Sequence, residues 1–583
     1  MYPPLLTLLL VWVTAVAAAE DLRLVSPAEI RSTRRDLLGY SIKDQYCWLL
    51  AHSAVRVGNY VYIDGGMAKY RVMMDREPVG VCDLNGHTVR LSLERDFDVD
   101  SPNLEVMATK GTEVPVANRG ALWVDGEDLL IQGGHFYDSA IWNTSTWYKN
   151  KTDIPDYSIW RFSPDKQPQE TRWQEDNFLL ESGRSAVRPV VRTVSGAATC
   201  TDTECFWFGG YISSRTSPDT PLNYSLPQRG MLIYDKETKT IKNQTIEGYG
   251  TEEDGYQFGT IDWIPGKGGK GGLLVSLMGE RSLIGRANTT DDDLDGVGVS
   301  LTHVMVYDLV GRRWYNQSTD YRGEPLIRTR FCSVLVYDEE RDVHDCLFIY
   351  GGQSVADVTT GVNDLYVLSM PAFRWVQLKP ESTTIANQYL RSHVCIPHGS
   401  QMLIIGGSWP SNRKGEVDQN SECTSRLVNV IDLNRADIQY QTKFHAKKTP
   451  YHQAERIRKE VGNAIEPIAA GWAHEGLGAI WPRGSRNVET TPSPHAKGPL
   501  APRAIAGIAI GSVAVLGAIT AFVWWYRRRN RAAPYHGGIP GVDHSPDDED
   551  ASKHGGLPGV DNSPDSEPEP GLRGAAARSP NPR

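Results

Sequence analysis

LFIYGG (Leu347 to Gly352) sets four consecutive large apolar residues before a pair of glycines. The pattern returns as VYIDGG (Val61 to Gly66), LLIQGG (Leu129 to Gly134), CFWFGG (Cys205 to Gly210) and LIIGG (Leu403 to Gly407). It occurs once more, altered, as VSLMGE (Val275 to Glu280). A strand that is apolar at every position has to be buried on both faces. One small sheet cannot bury both of its own faces, but neighbours stacked on either side can. Repetition at this scale therefore means a fold assembled from stacked copies. Glycine at the strand end frees the backbone for a turn and lets another segment approach closely.

A second regularity lies beyond the glycines. Asp308 precedes Trp314 by six residues, and Asp235 precedes Ile241 by six. Asp432 and Ile438, Asp83 and Val89, and Ser369 and Trp375 keep the same spacing. The block from Ile159 to Trp173 has four extra residues before its Trp. Each spacing reads as a hairpin whose last strand packs outward. Closing such a stack into a ring removes the exposed edges that would invite aggregation.

Double glycine, an aliphatic-Tyr-Asp strand and a Trp six residues on resemble the kelch repeat. YCWLLAHSAVRVGNYVYIDGG (Tyr46 to Gly66) resembles the first blade of fungal membrane-anchored kelch proteins. RSHVCIPHGSQMLIIGG (Arg391 to Gly407) echoes it: His52 and His393 each sit thirteen residues before the first Gly of their pair. The resemblance covers roughly residues 40–442 and implies an all-β fold, a six-bladed kelch-type β-propeller. Gly279-Glu280 departs from the glycine pair in the fourth repeat. Repeats of 55 to 76 residues exceed the roughly 50 of a kelch unit, and the excess must be loops.

The ends of the chain place this ectodomain. Leu5 to Val16 is short and apolar, and Ala17-Ala18-Ala19 supplies a small-residue cleavage site, so residues 1–19 read as a signal peptide. Ala504 to Trp525 carries no charge and is long enough to span a bilayer. Trp524, Trp525 and Tyr526 supply an interfacial belt, and Arg527, Arg528, Arg529 and Arg531 put the C-terminal side in the cytosol. The expected order is a signal peptide, a propeller over 20–445, and a short helix (Tyr451 to Val461) with a Pro/Ser/Thr-rich stalk over 446–502. A transmembrane helix over 503–526 and a disordered cytoplasmic tail over 527–583 complete it. The tail repeats HGGIPGVDHSPD (His536 to Asp547) as HGGLPGVDNSPD (His554 to Asp565). That reads either as a docking segment for a cytosolic partner shown twice or as plain duplication.

All eight cysteines (Cys47, Cys82, Cys200, Cys205, Cys332, Cys346, Cys395, Cys423) precede the membrane segment, as expected of disulfides in a secreted context. So do six N-x-S/T sequons, at Asn143, Asn150, Asn223, Asn243, Asn288 and Asn316. Cys200 and Cys205 flank a short turn, and Cys332 and Cys346 sit on the arms of an expected hairpin. The same local logic pairs Cys395 with Cys423 and Cys47 with Cys82, among 105 possible connectivities.

Chemical motifs are few. Gly266 to Gly271 satisfies GxGxxG, but a strand follows it where a dinucleotide site needs a helix. Asp291, Asp293, Asp295 and Gly296 begin like an EF-hand loop, yet its twelfth position is Thr302. His474-Glu475 starts an HExxH whose second His position is Gly478. No catalytic residue, metal ligand or cofactor is assigned. A net charge of −10 without a basic patch argues against nucleic acid. The expected function is non-catalytic binding of an extracellular protein or glycan through propeller loops. The alternatives are a passive wall-to-membrane anchor and a copper-radical oxidase of the galactose oxidase type. The latter needs two Tyr, two His and a Cys for a thioether, and the expected pairing of all eight cysteines leaves it none.

Overall fold

In a computed structural model, the described residues are 46–481. Within that span, 75–76, 137–144, 146, 155–158, 165–172, 177–178, 181–191, 222–224, 229, 245–254, 267–270, 283–295, 321–324, 339–343, 357–360, 381–388, 409–425 and 436 lie outside the description. So do the stretches read from the sequence as a signal peptide, a stalk beyond Trp481, a membrane segment over 504–525 and a tail. Among the described residues no helix is long and apolar enough to cross a membrane.

The all-β expectation is borne out. Among the described residues, six sheets follow one another, each built on four antiparallel strands taken in chain order. The first runs Ser53–Val57, Tyr60–Asp64, His87–Ser92, Leu104–Thr109, and the second Ala121–Asp125, Asp128–Gln132, Ile159–Phe162, Gln174–Asp176. The third is Ala197–Cys200, Glu204–Phe208, Met231–Asp235, Thr240–Gln244. The fourth is Thr260–Ile264, Leu273–Leu277, His303–Asp308, Arg313–Ser318. The fifth is Cys332–Tyr337, Asp345–Tyr350, Leu365–Met370, Arg374–Pro380, and the sixth Val394–His398, Gln401–Ile405, Val428–Asp432, Tyr440–Gln441. Each glycine-ended stretch read from the sequence is the second strand of its sheet.

Strand alternation shares each second strand between two cores. In the fifth sheet Leu347 and Ile349 pack against Val275 and Leu277 of the fourth. Phe348 and Tyr350, on the other face, pack against Met402 and Ile404 of the sixth. All four are fully buried. The same division runs around the molecule. Tyr62 meets Leu129 and Ile131, Leu130 meets Trp207, and Phe206 meets Leu274. The last wedge joins the ends of the series, with Val61 and Ile63 of the first sheet against Leu403 and Ile405 of the sixth. Each fully buried aliphatic or aromatic side chain contributes about 1.5–3 kcal/mol.

The six-residue spacing works where it spans the third and fourth strands: Tyr307 pairs with Trp314, Tyr234 with Ile241 and Leu368 with Trp375. It misleads twice. Asp83 belongs to Glu77–Leu84, which pairs with Met67–Met74 in an inserted three-stranded sheet, whereas Val89 sits on the third strand of the first sheet. Ile438 pairs in parallel with Pro380 of the fifth sheet, and Tyr440–Gln441 closes the sixth.

The disulfides also depart from local pairing. Cys200–Cys205 forms as read. Cys332, however, is joined to Cys395, which ties the first strand of the fifth sheet to the first strand of the sixth. The pairs Cys332–Cys346 and Cys395–Cys423 are therefore not made, and Cys346 keeps a buried thiol. Cys47 holds a disulfide, but not to Cys82. Local reasoning fails at Cys332 because Val336, not Cys332, lies opposite Cys346 in the register, and adjacent sheets bring their first strands side by side.

After the sixth sheet the chain stays packed as far as Trp481. The helix Glu455–Val461 buries Ile457 and Val461 against the fifth and sixth sheets. A second helix, Glu475–Ile480, buries Leu477, and Trp481 packs beside Phe373. His474 caps this helix by accepting the amide of Gly476 at 2.9 Å, a structural role for the truncated HExxH.

Candidate functional site

The glycine pairs build the axis. Both glycines have positive φ in five repeats, at Gly65-Gly66, Gly133-Gly134, Gly209-Gly210, Gly351-Gly352 and Gly406-Gly407. A Cβ on the first glycine would strike the following sheet: 2.2 Å from the Ala117 carbonyl oxygen at Gly65, 2.4 Å from Thr193 at Gly133, 2.2 Å from Tyr256 at Gly209 and 2.7 Å from Leu390 at Gly351. At Gly406 it would lie 2.5 Å from the carbonyl oxygen of Leu49, just before the first sheet. Glycine is thus required by contact as well as by φ.

Just before each first strand stands one left-handed residue that is not glycine: Ala51, Arg119, Ser195, Phe258, Arg330 and Ser392, with φ between 52° and 60°. Their backbones form a closed cycle. Arg119 N donates to Ala51 O at 2.7 Å, Ser195 N to Arg119 O at 3.0 Å and Phe258 N to Ser195 O at 2.9 Å. Arg330 N donates to Phe258 O at 3.0 Å, Ser392 N to Arg330 O at 2.8 Å and Ala51 N to Ser392 O at 3.3 Å. Left-handed backbone is unfavourable for side-chain-bearing residues and persists where the surroundings enforce it, often at functional sites. The tight turns between first and second strands lie at the far end of each sheet. The links from second to third strands, and those from sheet to sheet, gather at the ring end, where small accessory sheets also form.

Four groupings of charged and polar side chains stand at this ring. The Arg119 guanidinium carbon lies 5.6 Å from the Phe258 ring centroid and that of Arg330 lies 4.2 Å from the same centroid. Two cations thus converge on one ring member. Next to them, Asn118 exchanges backbone hydrogen bonds with His135 at 2.9 and 3.2 Å. His135 stacks edge-on to Tyr211 and contacts Ser213 Oγ at 3.4 Å. Burial, reinforced by the Arg215 and Arg119 charges, holds its imidazole well below the usual histidine range, so it is neutral at physiological pH. Further round, Gln257 donates to Glu280 at 2.6 Å and Arg391 to Gln353 at 2.5 Å.

The same layer collects unsatisfied polar atoms. Both amide atoms of Asn118, the hydroxyls of Thr193, Ser195 and Ser408, and Oε1 of Gln257 are buried without a hydrogen-bond partner among the described residues. Leaving such a group unsatisfied costs about 1–3 kcal/mol, so each asks for an explanation.

Sequence reasoning did not single out these residues. A signal was present: the ring residue stands fourteen positions before the first Gly at Ala51, Arg119, Ser195 and Ser392. The two histidines that were noted, His52 and His393, turn out to be core. Each abuts a first glycine, of the pair 406–407 and 351–352 respectively. Burial lowers their pKa values to about 3 and about 4, in His52 with help from the His393 charge.

The other expected sites are only partly visible. Asn150, Asn243 and Asn316 are exposed, while Asn143, Asn223 and Asn288 lie outside the described residues. So do Asp291, Asp293 and Asp295. Gly266 and Gly271 lie between the paired strands that match Ile264 with Leu273, and residues 267–270 between them lie outside the described residues. Among the described residues, the group able to share an ion is Cys332, His393 and Cys395, and a disulfide joins its two cysteines.

No family model matches the chain. The chain is 23% identical over 507 residues to a kelch repeat-containing protein of Arthroderma benhamiae, a match covering 76% of this chain and 70% of that protein. The solved structure of YjhT aligns at a TM-score of 0.41 with 10% identity, over 68% of this chain and 97% of that one. The resemblance to kelch-repeat propellers read from the sequence is borne out.

Proposed function

We propose that the chain is a non-catalytic, cell-surface binding module: a six-bladed propeller that takes an extracellular ligand at its ring end. The supporting observation is the convergence of Arg119 and Arg330 on Phe258 within the closed ring. Loops presented by several sheets meet there, and ligands of such scaffolds are chosen by loops rather than by fold. The signal-like N-terminus, the arginine-flanked apolar segment and the sequons support display outside a membrane, with the duplicated tail segment facing a cytosolic partner.

The test is surface display of the full chain, probed with arrayed glycans and secreted proteins. Arg330→Gly should abolish the binding found. Glu127→Ala, at the turn on the far end of the second sheet, should leave it intact. Binding that ignores Arg330 but follows Glu127 would reverse the assignment. Because Cys346 retains a thiol, the cysteine count no longer argues against a copper-radical enzyme. Metal analysis of the purified full chain answers that directly: stoichiometric copper would overturn the non-catalytic reading.

A further inference from the structure

We infer that Lys110 and Asp64 condense into an intramolecular amide, a covalent cross-link within the first sheet. Lys110 Nζ donates to Asp64 Oδ2 at 2.6 Å, and the two side chains are 0% and 2% exposed. Asp64 ends the second strand of the first sheet, and Lys110 follows directly on the fourth. The other contacts of the pair suit the reaction. Lys110 Nζ also donates to the Pro115 carbonyl at 2.8 Å and lies 5.0 Å from the Trp173 ring centroid. Asp64 Oδ1 accepts from Thr88 Oγ1 at 2.7 Å, and Thr88 Oγ1 accepts from Trp173 Nε1 at 2.8 Å. One carboxylate oxygen thus faces the amine, while the other is held by a hydroxyl that is itself fixed in place.

A plain ion pair accounts poorly for this arrangement. Well-packed apolar residues in place of a buried ion pair are often neutral or stabilising. The scaffold needs no carboxylate here, since the residue before the first glycine is Gln132, Phe208, Met278, Tyr350 and Ile405 in the other five repeats. Condensation removes both charges from the core. Burial favours the neutral amine and holds Lys110 below the usual lysine range, against the pull of Asp64. Contact at this distance also replaces a bimolecular encounter. The ammonium passes one proton to Oδ2, and the freed nitrogen lone pair attacks Cγ. The charge that develops on Oδ1 is stabilised by the Thr88 hydroxyl. A second proton then moves from nitrogen to Oδ2, the Cγ–Oδ2 bond breaks and water leaves. One ammonium and one carboxylate become one amide and one water. The new bond spans a separation of 46 residues, and the enclosed chain carries Met67–Met74 and Glu77–Leu84 of the inserted sheet.

The experiment is tryptic peptide mapping, by mass spectrometry, of the reduced full chain made in a secretory host. The expected product is a branched peptide joining residues 57–69 to 96–119, uncut after Lys110 and lighter by one water than its two parts. Neither part contains a cysteine, so a disulfide cannot imitate the link. The parent chain alone decides whether the bond exists, and no variant has to fold for that. Residues 57–69 recovered as a separate peptide, together with cleavage after Lys110, would overturn the inference and leave an ion pair. Asp64→Ala and Lys110→Arg should each abolish the branched peptide, and its survival in either would overturn the assignment of the two residues. Thr88→Val keeps the side-chain shape and removes the donor. In chains sampled at successive times after synthesis, its linked fraction should rise at least about tenfold more slowly than the parent's. Linkage at the parent's rate would overturn the route through the oxygen that Thr88 holds.

Discussion

The amide of Ala51 donates to the carbonyl of Ser392 at 3.3 Å, joining the residue before the first sheet to the residue before the sixth. This bond completes the cycle of six. The seam it closes is reinforced by Gly407 N donating to Leu49 O at 2.7 Å and by Phe97–Asp98 pairing with Lys443–Phe444. Side-chain packing between Ile63 and Ile405 fills the wedge beneath.

That seam makes Gly406 a sensitive position. Gly406→Ala would place a methyl 2.5 Å from the Leu49 oxygen, at a φ of +65°. The expected loss is at least about 2 kcal/mol. Gly126 has a similar φ of +67° but nothing within 4 Å, so Gly126→Ala should cost only about 1 kcal/mol. Urea unfolding of both variants tests this, and equal midpoints would refute the contact argument.

Non-reducing peptide mapping should recover Cys332 linked to Cys395 and Cys200 linked to Cys205. Cys346 should be alkylated only after denaturation, since burial pushes its thiol up to about 11. The Cys332–Cys395 bridge closes a separation of 63 residues. On loop entropy its removal should cost about 4 kcal/mol. A Cys332–Cys346 peptide in the map would contradict the inter-sheet link.

Acid should weaken the fold in a defined window. Burial lowers His52 to about 3, and His87 and His393 to about 4, from 6.5. The unfolded chain then binds more protons, so their stabilisation is complete above pH 6.5 and is lost as pH falls towards 4. Asp262 acts oppositely. Burial raises it to about 6, so its contribution is complete below pH 4 and lost as pH rises to 6. His135, lowered in the same direction, adds to these three, so the histidines outweigh Asp262 and leave a net loss on acidification, bounded at about 1.4 kcal/mol per group per pH unit. Unfolding midpoints at pH 7, 5.5 and 4 should fall in that order, and His52→Gln should flatten the trend. A midpoint that rises towards pH 4 would refute it.

Asn150, Asn243 and Asn316 are exposed and should carry sugar when the chain is made in a secretory host. Enzymatic release in heavy-oxygen water, followed by mass spectrometry, would mark each occupied asparagine. Unmodified peptides at all three would contradict passage through a glycosylating compartment.

Much of the scaffold was legible because its determinants are local. A both-faced apolar strand such as LFIY dictates neighbours on two sides, and a glycine pair marks where chains crowd. The axial site was hidden because it depends on contacts between distant links. Nothing local distinguishes Arg330 from a surface arginine until Phe258, 72 positions earlier, is seen beneath it. The cysteines failed for the same reason, since Cys332 meets its partner across a wedge rather than along a hairpin. The Asp83 spacing misled because a whole accessory hairpin is inserted into the first repeat.

The seam also fixes an order of events during synthesis. The first sheet emerges with one flank uncovered and cannot cover it until Val428 to Phe444 have been made. At about 5–20 residues per second, that wait lasts roughly 20–80 seconds. Throughout it, Val61, Ile63 and Leu91 have no partner sheet on that flank. The core that joins the first and sixth sheets is therefore the one whose two sides are made furthest apart in time.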